Sequence, residues 1–165
     1  MIGGTGSGKT TFARAVAQRL GVPHVELDAL HWQPGWVEAP AEELRERVAE
    51  ALAGDGWVAG GNYGSRLGTS VLEQADEVVW LDLPLPTSFW RLLRRTVRRV
   101  RTRELIWGTN RESLRQAFLS RNSILVYLLK THRRGRRRRA ELVADYPHVR
   151  LRSAREIERY LREAT

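Results

Sequence analysis

Eight residues near the amino end, Gly3-Gly4-Thr5-Gly6-Ser7-Gly8-Lys9-Thr10, constrain the folding of this chain more than any other stretch. They fill every fixed position of a phosphate-binding loop: a glycine, four free residues, then Gly-Lys-Ser/Thr. Glycine lets the backbone curl with its N–H groups turned inward, which makes a concave cradle for an anion. Gly4, Thr5, Gly6, Ser7, Gly8 and Thr11 are therefore expected to surround a polyphosphate. Lys9 reaches the β- and γ-phosphates and the Thr10 hydroxyl ligates Mg²⁺. The helix that follows adds its positive end to the same place. ATP with Mg²⁺ is the expected ligand.

Such a loop requires a buried strand before it, and only Met1 and Ile2 precede Gly3. A central strand this short leaves its neighbours facing a gap. The expectation is that the first strand is largely missing from this chain. A version extended by about six apolar residues is expected to be markedly more stable.

A length of 165 residues suits a single domain, 1–165, with a real core. Apolar runs are too short to span a membrane, and no secretion-signal layout opens the chain, so cytoplasm is the default expectation. The absence of cysteine excludes disulfides and thiolate metal sites. A net charge of +9 is carried almost wholly by arginine, the side chain that grips phosphate with two parallel hydrogen bonds. Nucleotide handling and nucleic-acid binding both fit that charge.

Apolar residues at helical spacing predict a helix over 10–20, stopped by Gly21. Strands are expected at 24–27, 57–59, 78–83 and 148–151, with a ring-rich loop over 31–40. Further helices are expected at 41–52, 87–101 and 111–130. A capping box at Ser153-Ala154-Arg155-Glu156 opens the last one. Alternating strands and helices give a three-layer α/β sandwich around a parallel sheet, with 101–140 as a lid-like helical insertion.

Four clusters carry the chemistry. Asp28 ends the second strand, where an acid can serve a metal shell or take the proton of an attacking hydroxyl; a turn aspartate is the plainer alternative. His31 follows it. Gly60-Gly61-Asn62-Tyr63 ends the third strand, with Arg66 beyond, and can border an acceptor. Arg91 and Arg95 share a helix face by their four-residue spacing. The block His132–Arg139, including Arg134 and Arg137, is a phosphate-closing lid, a nucleic-acid patch or a solvated helix end.

The phosphate loop, the stretch Gly21 to Trp32, Pro34-Gly35-Trp36 and Trp57 to Tyr63 together resemble small bacterial P-loop proteins. That family goes under the description of DNA topology modulation or adenylate-kinase-like proteins. The resemblance covers essentially the whole chain. It implies a nucleoside-monophosphate-kinase-type fold with strand order 2-3-1-4-5. It also implies Arg91 against the adenine, Arg95 near the phosphates, the arginine block as lid, and Gly61-Asn62-Tyr63 at the acceptor. The family usually carries an aspartate just before Gly-Asn-Tyr, where this chain has Gly60; that change bears on turnover more than on ATP binding. The expected function is transfer of the ATP γ-phosphate to a small-molecule or nucleotide acceptor. Lys9, Asp28, Arg95, Arg134 and Arg137 would be catalytic, with His31, Asn62, Tyr63 and Arg66 at the acceptor. The alternatives are a nucleotide-dependent DNA- or RNA-binding regulator and an ATP-binding protein without turnover.

Overall fold

A computed structural model describes residues 1–62, 64–107, 110–111 and 123–164, with the backbone alone at 64, 65 and 111. Five parallel strands form the centre: β1 (Ile2–Gly3), β2 (His24–Glu26), β5 (Val58–Gly60), β6 (Val78–Leu81) and β9 (His148–Leu151). β2 pairs with β5, and β1 with β6, which pairs with β9. Met1 joins the two groups: its amine donates to the Ala59 carbonyl at 2.7 Å, and Gly61 N donates to Met1 O at 3.2 Å. The strand order is therefore 2-3-1-4-5 in chain sequence, as expected.

The helices are α1 (Lys9–Leu20), α2 (Leu27–His31), α3 (Ala41–Ala51), α4 (Gly64–Leu67), α5 (Ser70–Glu73), α6 (Leu85–Thr102), α7 (Ile124–Val143) and α8 (Ala154–Glu163). Strand alternation decides which face each one covers. Val58, Val79, Leu81 and Leu151 pack on Phe12 and Val16 of α1, with Ile157, Tyr160 and Leu161 of α8. The opposite face is covered in two places. Val25 and Ala59 meet Leu44 and Val48 of α3, while Ile2, Val78 and Trp80 meet Val143 of α7. Three layers result.

Two short antiparallel hairpins decorate this frame. β3 (Trp32–Gln33) pairs with β4 (Val37–Glu38), and β7 (Leu105–Ile106) with β8 (Asn110–Arg111). The ring-rich loop is thus partly a hairpin, closed by a single 3-10 turn over Pro34–Trp36. Asn110 locks that turn, accepting from Trp36 N at 2.9 Å and donating to Gln33 O at 3.1 Å.

Two expectations need correction. Asp28 lies in α2 and not at the tip of a strand, because β2 stops at Glu26. The helix expected over 111–130 does not begin at Arg111, which pairs in β8; α7 begins at Ile124 and runs through the arginine block to Val143. Residues 112–122 lie outside the described ones. Helical periodicity in an arginine-rich stretch is weak evidence of where a helix stops, since packing on the sheet decides it. The capping box forms as expected, with Ser153 Oγ accepting from Glu156 N at 3.2 Å.

β1 meets only Trp80 and Leu81 of β6, so Val78 and Val79 lack a ladder partner on that side among the described residues. A cleft of about 1300 Å³ runs from there, past Val58, up to Gly4, Asn62 and Arg139. Among the described residues, no helix is long and apolar enough to cross a membrane.

Candidate active site

The carboxyl ends of β1, β2, β5 and β6 converge on the loop that joins β1 to α1. Gly3 ends β1 where a Cβ would come within 2.7 Å of Ser7 Oγ and 2.8 Å of Leu81 O, so the turn tolerates no side chain. Gly6 and Gly8 take φ of +78° and +91°, the left-handed region that favours glycine. Gly8 caps α1 and accepts from Phe12 N at 3.0 Å. The expected cradle is present.

Lys9 folds back across it. Its ammonium donates to Gly3 O at 3.0 Å and Gly4 O at 3.1 Å. Burial pulls its pKa down to about 8; Asp28 opposes that shift, and Arg139 and Arg95 add to it. Asp28, Arg95 and Arg139 thus act on Lys9, and the charge of Lys9 in turn acts on the Met1 amine. Arg91 donates to Ser7 O at 3.2 Å, against the opposite wall of the loop. Thr10 Oγ1 donates to Glu26 Oε1 at 3.1 Å. Thr5 lines the cleft and Thr11 is exposed on α1.

Other candidates are placed differently. Asn62 is occupied with Gly3, accepting from its N–H at 3.1 Å and donating to its carbonyl at 2.5 Å. His31 is buried, and its pKa is pushed down by that burial and then by Arg66. Glu38 sits between the two, 3.9 Å from His31 Nε2 and paired with Arg66. His31, Trp32, Trp36 and Trp107 follow one another edge to face at centroid spacings of 4.8, 5.7 and 5.8 Å. Tyr63 lies outside the described residues.

Of the arginine block, Arg134 is exposed at the edge of the cleft and Arg137 pairs with Glu141 in solvent at 3.0 Å. The inward face of α7 carries His132, Arg136 and Arg139 instead. Arg139 Nη2 lies 3.6 Å from where a Cβ on Gly4 would sit, and its Nε is buried without a hydrogen-bond partner among the described residues. Burial depresses its pKa. Arg136 and Arg150 both converge on Oδ2 of buried Asp82, at 2.9 and 2.5 Å, and so pin α7 against the end of β6.

Glu26 carried no expectation from the sequence, and within the block His132–Arg139 the sequence singled out Arg134 and Arg137, not Arg136 and Arg139. Glu26 was within reach, since it stands two residues before Asp28 beside a strand end. Arg139 was not, because eight consecutive cationic or glycine positions give no clue to which face turns inward.

Residues 1–56 match the family described as ATPase family associated with various cellular activities (AAA). No curated protein matches. Among solved structures, the chain is similar to shikimate kinase from Bacteroides thetaiotaomicron at a TM-score of 0.54 and 16% identity. That alignment covers 98% of this chain and 92% of the other. The fold is that of the P-loop kinases, and the loop is that of a P-loop NTPase.

Proposed function

We propose that the protein is an ATP-dependent phosphotransferase acting on a small-molecule or nucleotide acceptor. The observation that carries this reading is Lys9. A half-buried cation resting on its own loop's carbonyls, with two arginines acting on it, is a site built to receive a polyanion. Phosphate oxygens would replace Gly3 O and Gly4 O as partners and restore the full charge of Lys9.

The loop amides and Lys9 would orient the β- and γ-phosphates. Arg91 would lie at the nucleoside end, and Arg95 and Arg139 would neutralise charge on the transferring group. Thr10 would hold Mg²⁺, and the carboxylate behind its hydroxyl suits a cation. Bound there, the metal supplies further charge neutralisation. Asp28 would take the acceptor hydroxyl's proton as the new O–P bond forms and the bond to the β-phosphate bridge breaks, releasing ADP. His31 and Arg66 flank the acceptor side. A coupled ADP-release assay over nucleosides, nucleotides and small alcohols tests this; activity unchanged in Lys9→Ala would end it.

A second reading draws on α7, where Arg133, Arg134, Arg137 and Arg138 are all exposed, Arg134 and Arg138 along the edge of the cleft. That stripe suits a nucleic-acid backbone. Binding at low salt that weakens steeply as salt rises would support it; no binding at low salt would remove it.

A further inference from the structure

The row of rings formed by His31, Trp32, Trp36 and Trp107 starts near the phosphate site. Asp28 acts on both Lys9 and His31, so the row begins on that acid's side of the loop. It passes through the first hairpin to the turn of the second, edge to face at each step. Its three tryptophans each keep part of their surface in solvent, whereas Trp80, which fills the core, is 1% exposed. Holding them in line costs strain. Trp36 and Trp107 take φ of +62° and +50°, the left-handed region that bulky side chains avoid. The buried Asn110 amide, bonded to Trp36 N and Gln33 O, keeps the first of them there.

The charges beside the row are matched to one another. Arg66 is paired with Glu38 and donates to Ala39 O at 3.4 Å. Arg47 is paired with Glu43 and donates to Leu30 O at 3.1 Å. Exposed Arg45 donates to Arg66 O at 3.2 Å, and Asp28 adds a further carboxylate. Burial and Arg66 favour the neutral form of His31. These groups balance, although the whole chain carries +9. A phosphate or carboxylate arriving beside the rings would have to prise Glu38 from Arg66, with Asp28 opposing it.

We propose that the acceptor is an uncharged ring compound bearing a hydroxyl, held by its face against the tryptophan row, and that anionic acceptors are excluded. The proposal deepens the phosphotransferase reading and rests on it. The hydroxyl oxygen takes the γ-phosphoryl group, its proton passes to Asp28, and the bond to the β-phosphate bridge breaks with release of ADP. A planar base and a cyclic sugar both present the flat, weakly polar face that tryptophan packs against.

Calorimetry tests this on protein saturated with Mg²⁺ and a non-hydrolysable ATP analogue. The panel is nucleosides, cyclic sugars and aromatic alcohols, each against its own monophosphate. At least one uncharged member should bind, on the order of tenfold or more tighter than its phosphate. Nucleosides binding without sugars set a base against the rings; sugars binding without nucleosides set a sugar there. Trp36→Ala should weaken that binding on the order of tenfold and leave the analogue's affinity as it was. Should Trp36→Ala fail to fold, Glu38→Gln serves in its place. Releasing Arg66 should narrow the gap between the uncharged compound and its phosphate on the order of tenfold. A monophosphate that binds as tightly as its parent overturns the proposal. So does an unaltered affinity in Trp36→Ala, a loss there shared by the analogue, or an unaltered gap in Glu38→Gln. Analogue-loaded protein that binds no uncharged member overturns this proposal alone; protein that takes up no analogue sinks the phosphotransferase reading as well.

Discussion

Asn62 is bound to Gly3 at both ends of its amide, donating to the carbonyl at 2.5 Å and accepting from the N–H at 3.1 Å. A side chain from the loop after β5 thereby stands in for a strand neighbour of β1, at the residue where the phosphate loop departs. Lys9 donates to the same carbonyl. The entry to the loop is set by these two side chains.

Asn62→Asp keeps the size and one acceptor but removes the donor and aims a carboxylate at Gly3 O. The expected loss is about 1–3 kcal/mol of stability, together with weaker nucleotide binding. An unaltered urea midpoint would return Asn62 to the acceptor side.

Lys9 ties nucleotide affinity to pH. Its pKa of about 8 in the free protein should rise once phosphate replaces the carbonyls. Above pH 8 the free protein has lost this proton and must regain it to bind. Affinity is therefore highest below pH 8 and declines with further alkalinity, approaching tenfold per pH unit. Calorimetry at pH 8.5 in buffers of different ionisation enthalpy should register proton uptake; none would refute the assignment.

Gly6 and Gly21 both have positive φ, at +78° and +66°, but different surroundings. A Cβ on Gly6 would press to 2.3 Å from Ser88 O, whereas nothing lies within 4 Å of one on Gly21. Gly21→Ala should cost about 1–2 kcal/mol for the left-handed backbone alone. Gly6→Ala should cost more than that and also loosen nucleotide binding, since the loop must shift away from α6. Equal denaturation midpoints for the two variants would contradict the contact.

Arg139 and Arg137 lie on opposite sides of α7. Arg137→Ala removes an exposed pair with Glu141 and should change stability by about 0.3–0.5 kcal/mol, with transfer unaffected. Arg139→Ala should slow transfer on the order of 10²-fold or more and raise the pKa of Lys9, moving the alkaline limb of the binding profile upward. The reverse ranking would restore Arg137 as the catalytic arginine.

Much of this was legible in the chain. The loop Gly3–Thr10 required a strand before it and a helix after it, because its amides bind an anion only when the chain turns between those two elements. Apolar strands with intervening helices then required a parallel sheet, and Ser153 with Glu156 marked the start of α8. Local spacing and local hydrogen bonding suffice for such features. What depended on distant partners was not legible. Asn62 looked like a substrate contact and serves Gly3, 59 residues away in sequence. Glu26 gains its meaning only from the register that sets it beside Gly60 and in reach of Thr10. Arg139 turns inward because Asp82 holds Arg136 one helical turn earlier, a contact across 54 residues. The phosphate cradle and the layers around it follow from spacing along the chain. Which acids and arginines face the cradle depends on strand register and helix rotation, and packing alone fixes those.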